Sequence, residues 1–223
     1  MTHENTTTQK FRQTQDKLIL KLMPSIRKNG FQTLRMDDIA KIMDISRATL
    51  YKYFPNKEDL FHKVTDGFVQ YLNDMIKDLP KEETLYITKF QQLFEQSVSL
   101  ALFITDDFLD ELQHAYPSMY DKLWETIQFR EKQLLIFYNE GMESGIFNKI
   151  NGRLLILQDK MLFTMLDPIY LMKNQLTIEQ MLFDFYQLRK LQLFKPESIS
   201  TIDDSSIMSR IDHLSKKAAN VLL

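Results

Sequence analysis

The sequence predicts an all-α protein, and three observations carry that prediction. The 223 residues include only 5 glycines and 6 prolines, too few for an all-β fold, which needs a turn every roughly 8–12 residues. Apolar residues recur at spacings of three and four, the period of a helix. A length of 223 residues is typical of one or two domains and is sufficient to form a hydrophobic core. Cysteine is absent, which excludes a disulfide scaffold, a thiolate metal site and a cysteine nucleophile.

No segment resembles a membrane anchor or a secretory signal. The longest apolar runs are five residues, as in Leu100 to Ile104, whereas a spanning helix needs about 20. The first ten residues, MTHENTTTQK, lack the apolar stretch of a signal peptide. We therefore expect a cytoplasmic protein with no membrane partner.

The formal net charge of -2 conceals an asymmetry along the chain. Residues 1–60 carry 11 Lys/Arg and 7 Asp/Glu, whereas residues 61–223 carry 17 and 23. This favours a basic N-terminal unit joined to an acidic body. The alternative is a chance fluctuation on two solvated surfaces.

Three helices are predicted in the basic unit. The first runs from Gln13 to Asn29 and ends at Gly30, placed for a left-handed cap. The second covers 36–43, and its first turn is acidic, as the helix dipole favours. The third covers 47–54 and begins after Ser46, a good N-cap.

The second and third helices have the spacing of a helix-turn-helix, with Asp44 able to occupy a left-handed turn. Leu50 and Phe54 lie one turn apart and should pack inward. Arg47, Ala48, Tyr51 and Lys52 then point outward, with Thr49 at the margin. Such side chains suit the base edges and phosphates of a DNA major groove, and Lys57 can pair with a phosphate.

Here the residues resemble a known family. The run that carries the resemblance is Gly30-Phe31, Asp38-Ile39-Ala40, Ile45-Ser46, Thr49-Leu50-Tyr51, Tyr53-Phe54, Lys57-Glu58 and Leu60. It is similar to the DNA-binding domain of TetR/AcrR-type transcriptional regulators, over about residues 15–62. A bare helix-turn-helix pattern is weak, but the continuation T-L-Y-x-Y-F-x-x-K-E-x-L is specific.

The resemblance implies a homodimer whose two N-terminal domains read a palindromic operator. It assigns Thr49, Tyr51, Tyr53 and Lys57 to the DNA backbone, and Arg47, Ala48 and Lys52 to the bases. It also implies that the larger C-terminal part forms the dimer interface and a ligand pocket. The predicted DNA-binding set, with Ser46 and Arg35 added, is Arg35, Ser46, Arg47, Ala48, Thr49, Tyr51, Lys52, Tyr53 and Lys57.

Some positions depart from the family pattern. Leu34-Arg35 stands where the family often has Thr-Thr, so the hydroxyl cap of the second helix is missing, and Arg35 is free to contact a phosphate. Asp44 and Ala48 replace common glycines. Pro24 lies inside the first helix and should distort it.

The chain divides into a flexible tail (1–9), the DNA-binding domain (10–56), a helical effector-binding and dimerisation domain (57–196), and a polar linker with a C-terminal helix (197–223). The helices of the body are predicted near 57–78, 82–104, 106–115, 118–144, 152–173, 177–194 and 205–221. Asp167-Pro168 should kink or split its helix.

The predicted helices at 152–173 and 177–194 carry apolar residues on most sides, so each must be buried on more than one side. A second chain is the simplest cover, and a fully intramolecular core is the alternative. The predicted interface is Leu162, Ile169, Met181, Phe185 and Leu188. Effector-lining candidates are the aromatic and methionine side chains Phe103, Phe108, Tyr116, Trp124, Phe129, Met142, Met161 and Met165, although such residues are more often plain core.

No catalytic motif, cofactor motif or metal motif is present in the sequence. Asp110, Glu111 and His114 share a helix face, but an ordinary salt-bridging surface explains them better. We expect a non-enzymatic, homodimeric repressor without a cofactor, which binds a palindromic operator and is released by a small, largely apolar effector. The alternative is a protein–protein regulator of the same fold that has lost operator recognition.

Overall fold

The computed structural model describes residues 2–74, 83–199 and 202–222. Across these ranges the chain forms helices, with one isolated bridge between Phe147 and Phe194. The helices are α1 (Thr2–Asn29), α2 (Met36–Ile42), α3 (Arg47–Tyr53), α4 (Lys57–Asp74), α5 (Glu83–Phe103), α6 (Asp106–Ala115), α7 (Pro117–Glu143), α8 (Gly152–Met165), α9 (Pro168–Lys173), α10 (Ile178–Leu193), α11 (Pro196–Ile199) and α12 (Ser205–Leu222). The predicted all-α class is confirmed.

The chain forms two compact units. One combines Met1–Gln70 with Thr105–Leu123, and the other combines Tyr71–Ile104 with Trp124–Leu223. This grouping differs from the predicted boundary after residue 56, because α6 and most of α4 pack with the first three helices. Sequence periodicity cannot show which helix packs on which.

Aromatic packing holds the first unit together. The ring of Phe31 stacks on Phe61 with centroids 4.1 Å apart and lies 5.6 Å from Phe108 on α6. Tyr116 stacks on the same pair, 6.1 Å from Phe61. Since Phe31 and Phe61 are fully buried, this cluster anchors the end of α1 to α4 and α6.

The first helix is longer than predicted. Residues 2–9, expected as a flexible tail, are helical, and α1 begins at Thr2. The helix also continues through Pro24 to Asn29. The polar segment THENTTTQK carries no apolar period, so the sequence gives no signal that it extends the helix.

Two predicted left-handed positions are confirmed in the turns beside the short helices. Gly30 ends α1 at φ +70°, and Asp44 has φ 56° between α2 and α3. Gly30 has a second reason to lack a side chain, because an added Cβ would lie 2.0 Å from the Glu111 carboxylate.

The second unit has its own aromatic core. Phe147 packs edge-on against Phe194 at 4.9 Å and against Phe137 at 5.3 Å. Helix α12 packs along α10 and α5. Its approach is secured by Asp204, which accepts hydrogen bonds from the Tyr186 hydroxyl at 2.9 Å and from Lys190.

The predicted break at Asp167-Pro168 is confirmed. The chain leaves α8 at Met165, and Asp167 caps α9 by accepting from the backbone N–H groups of Ile169 and Tyr170. The predicted break at Pro80 lies outside the described residues. None of the helices that the structure describes is both long and apolar enough to cross a membrane.

Replacement of Gly30 by alanine should destabilise the protein. The left-handed backbone disfavours a Cβ, and the added methyl meets Glu111. We expect the free energy of unfolding to fall by about 1–2 kcal/mol, measured by urea denaturation.

Gly67→Ala is the matched control, because Gly67 lies inside α4 with nothing within 4 Å of an added Cβ. Alanine there should raise stability by up to about 1 kcal/mol. Equal effects of the two substitutions would contradict the role of the Gly30 turn.

Candidate nucleic-acid interface

The turn between α2 and α3 is set by short-range backbone bonds. The Ile45 N–H donates to the carbonyl of Ala40 at 3.0 Å, which closes the turn around Asp44. At the start of α2 the predicted absence of a hydroxyl cap is confirmed, and the Asp38 carboxylate instead accepts from the Arg35 N–H at 3.2 Å. Ile39 and Ala40 are buried, so α2 is the supporting helix of the pair.

Helix α3 is capped and anchored as the sequence predicts. The Ser46 hydroxyl accepts from the Thr49 N–H at 3.1 Å and lies 2.9 Å from the Thr49 hydroxyl. Leu50 and Phe54 are fully buried. With its cap at one end and its apolar side in the core, α3 presents its opposite face outward.

That outer face carries the side chains expected there. Arg47, Ala48, Tyr51 and Lys52 are exposed, and Tyr51 retains 48% of its surface. The predicted outward set therefore shares one surface. Contact of these residues with DNA stays a prediction, as does contact through the exposed Arg35 and the half-buried Thr49, Tyr53 and Lys57.

An ion pair restrains Arg47. Its guanidinium donates to the carboxylate of Asp37 on α2, although 68% of the Arg47 side chain remains exposed. Since exposed pairs contribute little to stability, this one mainly orients Arg47. Asp37 lies in the acidic first turn of α2, and its pairing with Arg47 has no local sequence signal because the two residues are 10 apart.

Helix α1 braces the pair from the other side. Phe11 packs on the ring of Tyr53 with centroids 4.8 Å apart, and Gln15 donates to the Tyr53 carbonyl at 2.9 Å. Lys21 donates to the Met43 carbonyl at 3.1 Å. The two hydrogen bonds satisfy carbonyls at the ends of α3 and α2. The three contacts join residues 22 to 42 positions apart, so the sequence carries no local signal of them.

Glu111 on α6 secures the turn after α1. Its carboxylate accepts from the N–H groups of Phe31 at 2.5 Å and Gln32 at 3.0 Å. Lys57 donates to the Gln32 carbonyl at 2.9 Å. Burial lowers the pKa of Lys57, and the negative charge of Glu111 opposes that shift. Glu111 is thus an acceptor for the turn, whereas the sequence predicted a salt-bridging surface shared with Asp110 and His114.

The sequence of this region matches a known family. Residues 24–64 match the family described as bacterial regulatory proteins, tetR family. This N-terminal segment is therefore of the tetR-family type. The match covers the end of α1, all of α2 and α3, and the beginning of α4, which is the part that carries the exposed face.

Curated relatives of the chain are regulators of the helix-turn-helix type. It is 26% identical over 163 residues to the uncharacterized HTH-type transcriptional regulator YvaF of Bacillus subtilis, across 70% of this chain and 83% of that one. It is 27% identical over 112 residues to IcaR of Staphylococcus aureus, the negative transcriptional regulator of the biofilm operon icaADBC. That match spans 50% of this chain and about half (54%) of IcaR.

Solved structures share the fold. A TetR-family regulator from Marinobacter aquaeolei superposes with a TM-score of 0.52 at 17% identity, across 92% of this chain and 98% of that one. The ketosteroid transcriptional regulator KstR2 of Mycobacterium tuberculosis gives 0.50 at 19% identity, across 66% and 78%. At such identities the likeness concerns the fold alone.

The predicted effector residues do not form one site. Phe108 and Tyr116 belong to the core of the first unit. In the second unit Phe103 is buried under the Lys217 ammonium, Met142 is half-buried, and Trp124 and Phe129 are exposed. Met161 and Met165 do come together, in an open groove of about 400 Å³. The sequence showed only which residue types suit a pocket, not their positions.

The predicted interface residues also separate. Leu162 and Phe185 are buried within the chain, so neither offers much area to a partner. Ile169 and Leu188 are exposed and Met181 is half-buried. Met181, Phe185 and Leu188 line the same groove as Met161 and Met165. A helix with apolar residues on most sides gives no sequence signal of which side packs within its own protomer.

Removal of the Glu111 carboxylate should loosen the α1–α2 turn. Glu111→Ala leaves two backbone N–H groups without their acceptor, so we expect a loss of about 1–3 kcal/mol in unfolding free energy. Amide hydrogen exchange at Phe31 and Gln32 should accelerate with it.

Asp110→Ala removes a neighbouring exposed carboxylate from the same helix and should change stability by less than about 0.5 kcal/mol. If Glu111→Ala is equally neutral, the turn does not depend on this contact.

Proposed function

We propose that the protein is a homodimeric repressor that binds a palindromic operator through α3, without enzymatic activity, and is released by a small-molecule effector. It acts where the DNA lies, in the cytoplasm. The observation that carries the proposal is the exposed α3 face, held by the Ser46 cap and the buried Leu50 and Phe54. A supporting helix and an outward second helix are what major-groove reading requires.

The charge distribution supports a DNA partner. The net charge of residues 1–60, which include the exposed face of α3, is positive, and that of the remainder is negative. Clustered cations release counterions from DNA and raise affinity. This combination gives no support to the alternative of a protein-binding regulator without operator recognition.

Substitution of Lys52 tests the DNA proposal. If Lys52 reads a base, Lys52→Ala should weaken binding to the selected operator by about 1–3 kcal/mol and relax the preference at one position. Selection from random duplexes followed by gel-shift titration measures both quantities.

Lys216→Ala is the control, since Lys216 is exposed on α12 and pairs with Asp212. It should leave operator affinity unchanged. Binding by wild type and Lys52→Ala with the same sequence preference would refute base reading by Lys52, and absence of binding to any duplex would refute the DNA proposal.

An exposed apolar surface supports the homodimer. It is formed by side chains of α8, α9 and α10 that retain 47–75% of their surface: Leu154, Leu157, Met161, Ile169, Tyr170, Met172, Leu188 and Leu191. Three of these side chains, Met161, Tyr170 and Leu188, line one groove, and clustered exposed apolar surface is typical of an interface. A second copy of these helices is the proposed cover, because a two-fold axis places the same surface on both chains.

A charge placed on this surface should separate the protomers. Leu188→Glu should raise the dimer dissociation constant at least about tenfold, equivalent to about 1.4 kcal/mol, in sedimentation equilibrium. Met208→Glu on α12, also at an exposed apolar residue, should leave it unchanged. A wild-type monomer at micromolar concentration would refute the homodimer.

The effector acts by favouring one conformation. A dimer binds when its two recognition helices match successive major grooves, about 34–36 Å apart. An effector that binds better to a conformation with another separation releases the DNA, and one with equal affinity for both has no effect.

A further inference from the structure

Two arginines lie buried in the middle of the second unit. Arg130 on α7 and Arg189 on α10 are 6% and 3% exposed. We call them, together with Ser97 on α5, Tyr138 on α7 and Asp159 on α8, the guanidinium cluster. Arginine is almost never fully buried unless it is paired, so the partners of each guanidinium decide what the cluster can do.

The hydrogen-bond partners of Arg130 are neutral. Its Nε donates to the Gln96 side-chain oxygen at 2.6 Å, and its Nη2 donates to the Ser97 hydroxyl at 2.8 Å. The Ser97 hydroxyl in turn donates a hydrogen bond to the Asp159 carboxylate at 2.8 Å. Burial lowers the pKa of Arg130, which reflects the cost of keeping this cation away from water.

Arg189 takes the direct carboxylate contact. Its Nη2 lies 3.2 Å from Asp159 and donates to the Tyr138 hydroxyl at 3.2 Å, while its Nη1 donates to Gln158 at 2.8 Å. Asp159 thus lies between the two cations, bound to Arg189 and joined to Arg130 through Ser97.

The charges of the cluster do not balance. Among the side chains that the structure describes in the cluster, two guanidiniums face one carboxylate, Asp159. Burial raises the pKa of Tyr138 to about 12, so its phenol is neutral at neutral pH and adds no negative charge. Glu131, the other carboxylate that acts on Arg130, lies 2.8 Å from Lys160. A buried cation in excess is costly unless an anion compensates it.

The space beside the cluster is small and largely aromatic. Arg189, Asp159 and Tyr138 form its polar side, and Phe90, Leu93, Phe94 and Phe137 form its apolar side. Its volume is about 10 Å³, room for about one water. A ligand can therefore enter only if these side chains move, which links occupancy to a change of conformation.

We propose that the guanidinium cluster binds the carboxylate of an amphipathic small molecule whose apolar part lies against the aromatic wall. This rests on the proposed function, since it names the chemical class of its effector. The ligand carboxylate binds the guanidinium of Arg189, and Asp159 then compensates Arg130, to which the Ser97 hydroxyl connects it. Two guanidiniums then face two carboxylates, so the charges balance only in the ligand-bound form.

The test is direct binding to the full-length protein in the absence of DNA. Decanoate, 1-decanol and acetate serve as probes in isothermal titration calorimetry. Decanoate should bind saturably, once per chain, and at least about tenfold tighter than either of the others, because both the charge and the apolar body are used. Equal affinity of decanoate and decanol, or no binding of decanoate, would overturn the proposal.

Variants of the cluster should change affinity in opposite directions. Asp159→Asn removes the internal competitor and should tighten decanoate binding by about three- to tenfold, whereas Arg189→Gln should weaken it at least about tenfold. Arg210→Gln is the matched control, because Arg210 has its own carboxylate, Glu95, at 2.7 Å. It should leave affinity unchanged.

Unchanged or weaker binding by Asp159→Asn overturns the proposal, and this holds even if Arg189→Gln fails to fold. DNA binding is measured separately by gel shift. A protein that binds decanoate but no duplex loses the proposed function and keeps the carboxylate site. One that binds an operator but not decanoate loses only the carboxylate site.

Discussion

The surface proposed to meet DNA exists only through tertiary support, because its two helices are too short to stand alone. Helices α2 and α3 have seven residues each, about half the length at which an isolated helix is even marginal in water. Their shape therefore depends on the burial of Leu50 and Phe54 beneath α3. Hydrogen bonds from α1 satisfy carbonyls at the ends of α2 and α3, and the carboxylate of Glu111 holds the turn between α1 and α2.

This dependence explains where polar side chains are used inside the first unit. Gln15, Lys21, Lys57 and Glu111 each satisfy backbone groups at a turn or a helix end. Backbone groups left without partners away from water are costly, and short helices have many such groups relative to their length. The same side chains thus set the position of the exposed face of α3 and remove that cost.

The second unit shows the opposite arrangement at the guanidinium cluster. Its polar groups form hydrogen bonds, but its charges do not balance. Proteins retain uncompensated buried charge of this kind mainly at functional sites, where some stability is lost in favour of binding. The apolar surface of α8 to α10 is a second feature that a single chain leaves incomplete. Both features belong to the second unit, outside the family match at 24–64.

The sequence by itself determined the helical class, the turns at Gly30 and Asp44, and the outward face of α3. These follow from periodicity, capping and backbone preference, which act over a few neighbouring residues. Only the tertiary structure decided the helical start of α1, the pairing of Asp37 with Arg47, the inward position of Leu162, and the meeting of Arg130 with Arg189. Those outcomes depend on which helices pack together, and residues distant in sequence leave no local signal of that contact.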